Sequence, residues 1–210
     1  MWDLRCPWAT KTEIEQEYHD TEWGRPQFDD RKLFEFIVLE SAQAGLSWLT
    51  ILKRRDGYRA RFDGFDAESV ADWGEPEIEA ALGDTGIIRN RAKIVAAVGN
   101  ARVFCELAAK HGRFADFIWG YVDGQPIVNH WRAQEYVLAH TPLSDRIAKD
   151  LKGLGFRFFG STICYSHMQA TGMINDHVVH CPQHKECQAC LLYTSPSPRD
   201  RTRSRMPSSA

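Results

Sequence analysis

Hydrophobic side chains recur at steps of three and four residues along most of the chain, which is the spacing of one face of an α-helix. The clearest example covers residues 29–44. Its apolar face is formed by Leu33, Phe36, Ile37 and Ala44. Asp29 and Asp30 can cap the start of this helix, and Gly45 can end it. No run of the sequence alternates as a strand would, so the pattern predicts an all-α fold.

The same spacing predicts helices across the rest of the chain. They cover residues 47–62, 66–82 as two short helices broken at Gly74 and Pro76, 87–110, 113–121, 144–155 and 161–171. Ser144 is expected to cap the helix that it begins, which ends at Gly153 or Gly155. Residues 124–142 have no clear period and predict a loop. One helical domain over residues 1–190 accommodates these elements.

The composition is that of a globular protein. Of the 210 residues, 43 % are hydrophobic and 26 % are charged, which is typical of a domain with its own core. No run reaches the roughly 20 apolar residues of a membrane helix, and the N-terminus lacks the order of charges and apolar residues of a secretory signal. We therefore expect a cytoplasmic protein, monomeric and without a membrane partner.

The end of the chain differs from the rest. From Leu191 it is rich in Ser, Pro and Arg and has no hydrophobic period, so it cannot bury enough apolar surface to become ordered. The string CLLYTSPSPRD resembles a translated sequencing-library adapter, and we expect residues 191–210 to be a disordered, non-native and dispensable tail. Without its four arginines and one aspartate, the net charge changes from −2 to −5. Nucleic-acid binding would therefore depend on local patches.

Two cysteines and two histidines form a candidate metal site. Cys6 and His19 lie near the start of the domain, and His177 and Cys181 lie four residues apart near its end. On a helix this spacing places both side chains on one face. Two thiolates and two imidazoles suit a tetrahedral, structural zinc with no open position. By spacing alone, rival ligand sets stay open, which draw on His180, His184, Cys187 and Cys190.

A single carboxylate, Glu40, lies on the apolar face of the helix predicted over 29–44. A buried charge is costly unless it is paired or used, so one interpretation is an ion pair with a neighbouring helix. Aromatic side chains are concentrated in the same part of the sequence, namely Trp2, Trp8, Tyr18, Trp23 and Trp48. Such clusters usually belong to a core. With an inward carboxylate they would also suit a flat cationic base stacked between rings.

Residues 150–172 combine two helical segments with a glycine-containing turn at 155–160. Such a turn before a helix exposes backbone N–H groups, which can bind a phosphate without net positive charge. Gly155 and Gly160 are the candidate contacts. Basic residues over 53–61 could add local attraction, although a solvated helix face has the same composition.

Together these motifs resemble the DNA-3-methyladenine glycosylase I family. They are, in chain order, Cys6 with Trp8, YHDTEWG at 18–24, LFEFIVLESAQAGLSW at 33–48, GIIRNRAKI at 86–94, GFRFFGSTICYSHMQATG at 155–172 and NDHVVHC at 175–181. The match covers roughly residues 4–187. It implies an all-helical, helix-hairpin-helix glycosylase fold with a structural zinc that joins the N-terminal segment to the C-terminal helix.

The resemblance also implies which residues form the sites. The zinc ligands would be Cys6, His19, His177 and Cys181. The base pocket would be formed by Tyr18, Glu40 and Trp48, with Trp8 and Trp23 near it. The resemblance implies an enzyme that flips 3-methyladenine out of alkylated double-stranded DNA and hydrolyses its N-glycosidic bond. No lysine near the hairpin stands out as a nucleophile, so we expect no lyase activity.

The role of Glu40 follows from the charge of this substrate. The methylated base is cationic and leaves as a neutral molecule, so we expect Glu40 to act by recognition and charge stabilisation more than as an obligatory general base. Asp176 is the alternative catalytic carboxylate, and orientation of the adjoining ligand His177 is its other interpretation. The sequence does not rank 3-methyladenine against 3-methylguanine.

Leu46 has two interpretations. It follows Gly45 directly before the pocket residue Trp48, so it could be a wedge that fills the gap left by the flipped base or a buried core leucine. Two other functional classes also have to be weighed, namely a non-enzymatic helix-hairpin-helix DNA-binding module and a zinc hydrolase with an open metal site. The four-ligand set and the pocket around Glu40 argue against both.

Overall fold

The computed structural model describes residues 4–194, and this part of the chain is mainly helical. Its α-helices are α1 (Glu13–Thr21), α2 (Asp30–Gln43), α3 (Trp48–Leu52), α4 (Arg55–Arg61), α5 (Ala67–Ala71), α6 (Glu75–Gly83), α7 (Arg91–His111), α8 (Phe114–Trp119), α9 (Pro142–Leu154), α10 (Ser161–Ala170) and α11 (Pro182–Thr194). Single-turn 3-10 helices cover Pro7–Ala9, Asp63–Phe65, Gly120–Val122 and Gln134–Tyr136. Within 4–194, no helix is long and apolar enough to cross a membrane.

Polar caps set where the two longest central helices begin. The Asp29 side chain accepts a hydrogen bond from the backbone N–H of Lys32, so α2 begins as predicted. Asn90 caps α7 in the same way, accepting from the backbone N–H of Lys93. The long helix therefore begins at Arg91 and not at residue 87, because the cap residue itself is extended.

The cap of α9 differs from the prediction. Ser144 lies inside the helix, and Thr141 is the cap, with Pro142 at the first helical position. The Thr141 hydroxyl accepts from the Ser144 backbone N–H, and the Ser144 hydroxyl accepts from the Thr141 backbone N–H. This reciprocal pair is a capping box, in which serine replaces the usual acidic partner.

Two further boundaries test the predictions. The prediction of a continuous helix over 47–62 was wrong, since α3 and α4 are separated at Arg54, whose backbone is not helical. The pair expected over 66–82 is confirmed as α5 and α6. The last helix extends to Thr194, four residues into the segment predicted as a tail. Residues 195–210 lie outside the described part of the chain, so the tail stays a prediction.

The prediction that the chain has no strand was wrong in one place. Strand β1 (Ile127–Val128) pairs in parallel with β2 (Ile174–Asn175), with Ile127 opposite Ile174. Two residues are too few for the alternation by which a strand is identified in sequence. The pair fastens the irregular segment over 124–142 to the chain just before Asp176.

Helix α2 lies between two hydrophobic clusters. Leu33, Ile37 and most of its other apolar residues belong to a large core shared with α7, α9 and α10. Phe36 belongs to a smaller aromatic cluster near the chain ends, together with Tyr18 and Trp23. Glu40 follows Phe36 by four residues, so it lies on the side of α2 that faces the smaller cluster.

Helices α9 and α10 form a hairpin joined by residues 155–160. Gly155 ends α9 with φ +114°, in the left-handed region that favours glycine. The buried side chain of Asn100, on α7, binds the turn through the backbone N–H and the carbonyl of one residue, Arg157. Its Nδ2 donates to the Arg157 carbonyl at 3.0 Å, and its Oδ1 accepts from the Arg157 N–H at 2.8 Å.

Candidate active site

A cavity of about 230 Å³ lies among α1, α2, α3 and α10. It is lined by Trp8, Tyr18, Trp23, Glu40, Gln43, Trp48, Gln134, Ser166 and Gln169. All five residues predicted for a base pocket are therefore in one cavity, although they are spread over 41 positions of the sequence, from 8 to 48.

The aromatic walls of the cavity are packed edge to face or tilted. The ring centroids of Trp8 and Trp23 are 5.1 Å apart with an interplanar angle of 74°. Those of Tyr18 and Trp48 are 5.3 Å apart at 52°. The Trp48 Nε1 is buried and has no hydrogen-bond partner among the described residues. Burial raises the pKa of Tyr18 well above its ordinary value, so its hydroxyl stays protonated.

Glu40 is the only carboxylate among the residues that line this cavity, and 4 % of its surface is exposed. Burial raises its pKa to about 8, because the charged form loses hydration. No hydrogen bond to its carboxylate is formed by the residues of the described range. The ion pair that was the alternative interpretation of Glu40 is therefore not formed with any described residue.

The neighbouring Glu35 shows what a compensated buried carboxylate looks like on the same helix. Its Oε1 accepts from Arg55 Nε at 2.7 Å, and its Oε2 accepts from Lys32 Nζ at 2.9 Å. Although burial opposes ionisation, the Arg55 and Lys32 contacts hold the pKa of Glu35 below its ordinary value. Glu35 therefore belongs to the scaffold, whereas Glu40 is left to pair with a ligand.

The four predicted metal ligands meet in one buried cluster. Their donor atoms all lie within 4.8 Å of one another. His177 Nδ1 is 3.2 Å from His19 Nε2 and 3.6 Å from the sulfurs of both Cys6 and Cys181. Tetrahedral zinc with ordinary Zn–S and Zn–N bonds would place neighbouring donors roughly 3.3–3.8 Å apart. The donor set therefore fits a closed four-coordinate ion, whereas the rival His180 is exposed and outside the cluster.

The local structure of this cluster corrects the sequence-based geometry. His177 and Cys181 do not share a helix. They lie in the turn before α11, so the cluster joins the N-terminal segment to that turn and not to the C-terminal helix itself. The turn brings the sulfur and the ring together because the Cys181 N–H donates to the Val178 carbonyl.

Neighbouring groups orient both histidine rings toward the cluster. Asp20 Oδ1 lies 2.8 Å from His19 Nδ1, and the Trp23 carbonyl lies 3.0 Å from His177 Nε2. Each contact leaves the other ring nitrogen for a metal. The Trp23 loop passes so close to His177 that a Cβ at Gly24 would lie 2.8 Å from the ring, and Gly24 also has φ +78°.

The interpretation of Asp176 as a partner of His177 was wrong. Its carboxylate is buried, and none of its four hydrogen-bond partners belongs to the metal cluster. Oδ1 accepts from Asn129 Nδ2 at 2.7 Å and from Trp131 Nε1 at 2.6 Å. Oδ2 accepts from the Tyr165 hydroxyl at 2.6 Å and from Gln169 Nε2 at 2.7 Å. Asp176 therefore ties the loop over 124–142 to α10, and it does not line the cavity.

The remaining predicted contacts do not line the cavity. Leu46 is 39 % exposed in the turn between α2 and α3, which removes the interpretation of a buried core leucine. Gly155 and Gly160 bound the hairpin turn, and a Cβ at Gly160 would meet nothing within 4 Å. A groove beside this turn contains Lys149 and Lys152.

Sequence reasoning missed the polar lining of the cavity. Ser166 and Gln169 are three residues apart on α10, within the ICYSHMQATG segment, so their helical spacing could have placed both on one face. Gln43 ends α2, one turn after Glu40. Gln134 comes from the irregular loop, and no local pattern indicates it.

Comparison with known proteins shows the family of the chain. The methyladenine glycosylase family matches residues 8–184. DNA-3-methyladenine glycosylase 1 of Escherichia coli is 48 % identical over 177 residues, which are 84 % of this chain and 95 % of that protein. DNA-3-methyladenine glycosylase of Haemophilus influenzae is 44 % identical over 178 residues, covering 85 % of this chain and 96 % of that protein.

A solved structure of a 3-methyladenine DNA glycosylase I variant in complex with 3-methyladenine superposes with a TM-score of 0.84 at 32 % identity, covering 87 % of this chain and 98 % of that chain. Sequence and fold thus agree over most of the chain. The chain belongs to the methyladenine glycosylase family.

Proposed function

We propose that this protein removes 3-methyladenine from alkylated double-stranded DNA by hydrolysing the N-glycosidic bond of a flipped nucleotide. The observation that carries the proposal is a buried carboxylate, Glu40, that receives no hydrogen bond from the described residues and lines an aromatic cavity. Relatives that are 44–48 % identical carry the name of this activity, and a related glycosylase has been solved with the base.

The cavity recognises the base by stacking and by charge. Trp48 and Tyr18 offer faces for a planar ring, and stacking contributes about 1–3 kcal/mol per base, which offsets part of the flipping cost. Glu40, whose pKa burial raises to about 8, ionises more readily when a cation enters beside it. The pocket therefore favours a cationic methylated base over an unmodified neutral one.

The same charge stabilises bond breakage. As the bond from the sugar C1′ to the base nitrogen breaks, its electron pair leaves with the base and neutralises it. Positive charge then develops on the sugar, and a water oxygen bonds to C1′ while its proton passes to solvent or to Glu40. Because the leaving group is already activated, Glu40 acts mainly by recognition and by favouring this charge. No lysine is among the described residues that line the cavity, which supports a hydrolase without lyase activity.

DNA would be held at two places outside the cavity. The α9–α10 unit serves as the helix-hairpin-helix, in which backbone N–H groups near Gly155 and Gly160 bind a phosphate. Lys149 and Lys152 beside the turn add local positive charge to a chain that is acidic overall. Leu46, exposed beside the cavity, enters the base stack and keeps the lesion extruded.

A structural zinc would be held by Cys6, His19, His177 and Cys181. The donor distances support this proposal, and the four protein ligands leave no position for a substrate. When bound, the metal would supply folding energy and no step of the reaction. The monomeric state and the cytoplasmic location stay predictions.

The direct test incubates the purified protein with methylated duplex DNA and identifies the released bases by mass spectrometry. We expect 3-methyladenine to be released. Glu40→Gln should lower the single-turnover rate by less than the about 10²–10⁴-fold of a lost general base, and it should weaken binding of free 3-methyladenine. Glu106→Gln, the same change at an exposed position of α7, serves as the control.

Absence of base release by the wild-type protein would refute the proposed activity. A Glu40→Gln enzyme that binds the base normally but is inactive would refute the recognition role.

A further inference from the structure

Asp176 determines which group Gln169 presents to the cavity. Four donors converge on the Asp176 carboxylate at 2.6–2.7 Å, so both of its oxygens act only as acceptors. One of these donors is the Gln169 amide nitrogen, 2.7 Å from Oδ2. The amide NH₂ is therefore turned to Asp176, and the carbonyl oxygen Oε1 is the group left for the cavity that Gln169 lines. No described residue donates to this oxygen.

We propose that Gln169 is a specificity-determining residue that accepts a hydrogen bond from the exocyclic amino group of the flipped base. The inference rests on the proposed function. An exocyclic amino group carries two hydrogens, and two of the acceptors that line the cavity, the Glu40 carboxylate and Gln169 Oε1, can accept them. A base with an oxo group at the same position would place an acceptor against these acceptors, and the oxygens that face each other would stay unpaired. The pocket therefore selects 3-methyladenine over 3-methylguanine.

Asp176 acts as a positioning residue in this selection, and Asp176→Asn provides a sharp test. The substituted amide has to direct its NH₂ toward one pair of the former donors. The Trp131 Nε1–H can only donate, whereas the Tyr165 hydroxyl can also accept and the Gln169 amide can rotate to present its oxygen. The new NH₂ group should therefore face Tyr165 and Gln169. Gln169 would then turn its own NH₂ to the cavity, where it would donate to an oxo group.

The experiment measures single-turnover release of 3-methyladenine and 3-methylguanine from the same methylated duplex by mass spectrometry. Gln169→Met keeps the length of the side chain and removes the acceptor. We expect it to lower the ratio of 3-methyladenine to 3-methylguanine release by about tenfold or more. Asp176→Asn should lower this ratio at least as far, with 3-methylguanine release maintained or raised. Gln125→Met, at an exposed glutamine, should leave the ratio unchanged.

The ratio separates specificity from structural damage, because a loosened α10 would slow the release of both bases together. If both variants keep the wild-type ratio while the wild type releases 3-methyladenine, this inference is wrong and the proposed function stands. If the wild type releases no 3-methyladenine, both are wrong. Melting temperatures show whether each variant is folded. The two variants test the inference independently, since only Asp176→Asn leaves Gln169 in place.

Discussion

At the scale of single residues, the free energy needed to ionise Glu40 has to come from the ligand. Among the described residues nothing compensates its charge, in contrast to Glu35, which is paired with Arg55 and Lys32 on the same helix. With a pKa of about 8, Glu40 is mostly protonated at neutral pH in the free protein. A cationic base reverses this preference, so the pocket becomes negatively charged as its substrate enters.

Burial without a partner makes Glu40 lower the stability of the folded protein as the pH rises above about 4.5. Its folded-state pKa of about 8 lies above the ordinary 4.5, so the folded state holds the proton more tightly and the free energy of unfolding falls as pH rises between these values. Because glutamine does not ionise, Glu40→Gln removes this pH-dependent fall in the free energy of unfolding. At pH 8 we expect the variant to be more stable than the wild type by about 2–4 kcal/mol relative to their difference at pH 4.5.

Thermal melts of both proteins between pH 4.5 and 8.5 check this prediction, with Glu106→Gln as the exposed control. All other titrating groups are common to the two proteins and cancel in the difference. A melting-temperature difference that does not change with pH would show that Glu40 has a compensating partner.

At the scale of elements, Leu46 lies at the tip of the turn between α2 and α3, and hydrogen bonds hold the end of α2 in place. Lys93 Nζ, on α7, donates to the carbonyls of Ala42 at 2.8 Å and Ala44 at 2.6 Å, which are at the end of α2. Gly45 then reverses the chain with φ +78°. Because the α2 side of the turn is held by Lys93, an apolar side chain at its tip is available to DNA without a large ordering cost.

Leu46→Ala should therefore separate excision from stability. We expect slower release of the base from duplex DNA, because the gap in the stack is no longer filled. The free energy of unfolding should change by less than about 0.5 kcal/mol, as is usual at exposed positions. Leu107→Ala, in the core, should cost about 2–5 kcal/mol and shows the opposite pattern. Unchanged excision by Leu46→Ala would refute the proposal that Leu46 acts as a wedge.

At the scale of the whole molecule, the sequence predicts what repeats along a helix and misses what depends on contacts distant in sequence. The period of apolar residues and the cap Asp29 placed α2 correctly, since both signals are local. The β1–β2 pair was missed because two residues carry no period. Gln134 reaches the cavity through an irregular loop that is held by Asp176, which is more than 40 positions away.

The candidate metal site shows the same limit. Its four residue types could be named from the resemblance, and the structure brings them together. The expected helix from His177 to Cys181 was wrong, because Pro182 is the first residue of α11 and a turn precedes it. The spacing of four residues therefore predicted correctly that His177 and Cys181 lie close together, but they do so in a turn and not on a helix.

The cluster also connects the cavity to both ends of the domain. Cys6 is two residues before Trp8, and the Trp23 ring packs against His177 with centroids 4.5 Å apart. Two walls of the cavity are thus attached directly to candidate ligands. A metal at this cluster would hold the N-terminal segment against the turn before α11, and its loss should loosen the pocket while leaving the large core around α7 intact.

Cys181→Ser tests this connection. We expect zinc content and melting temperature to fall together, by about 10 °C if the metal contributes about 3 kcal/mol, since serine is a poor zinc ligand and the remaining buried thiol and imidazoles lose their shared partner. Metal analysis and thermal melting measure the two quantities on one sample.

Cys105→Ser changes a half-buried cysteine on α7 outside the cluster, and it should keep both quantities at wild-type values. Helical content should persist, because the main core does not include the cluster. A Cys181→Ser protein with one zinc per chain and an unchanged melting temperature would exclude Cys181 as a structural ligand.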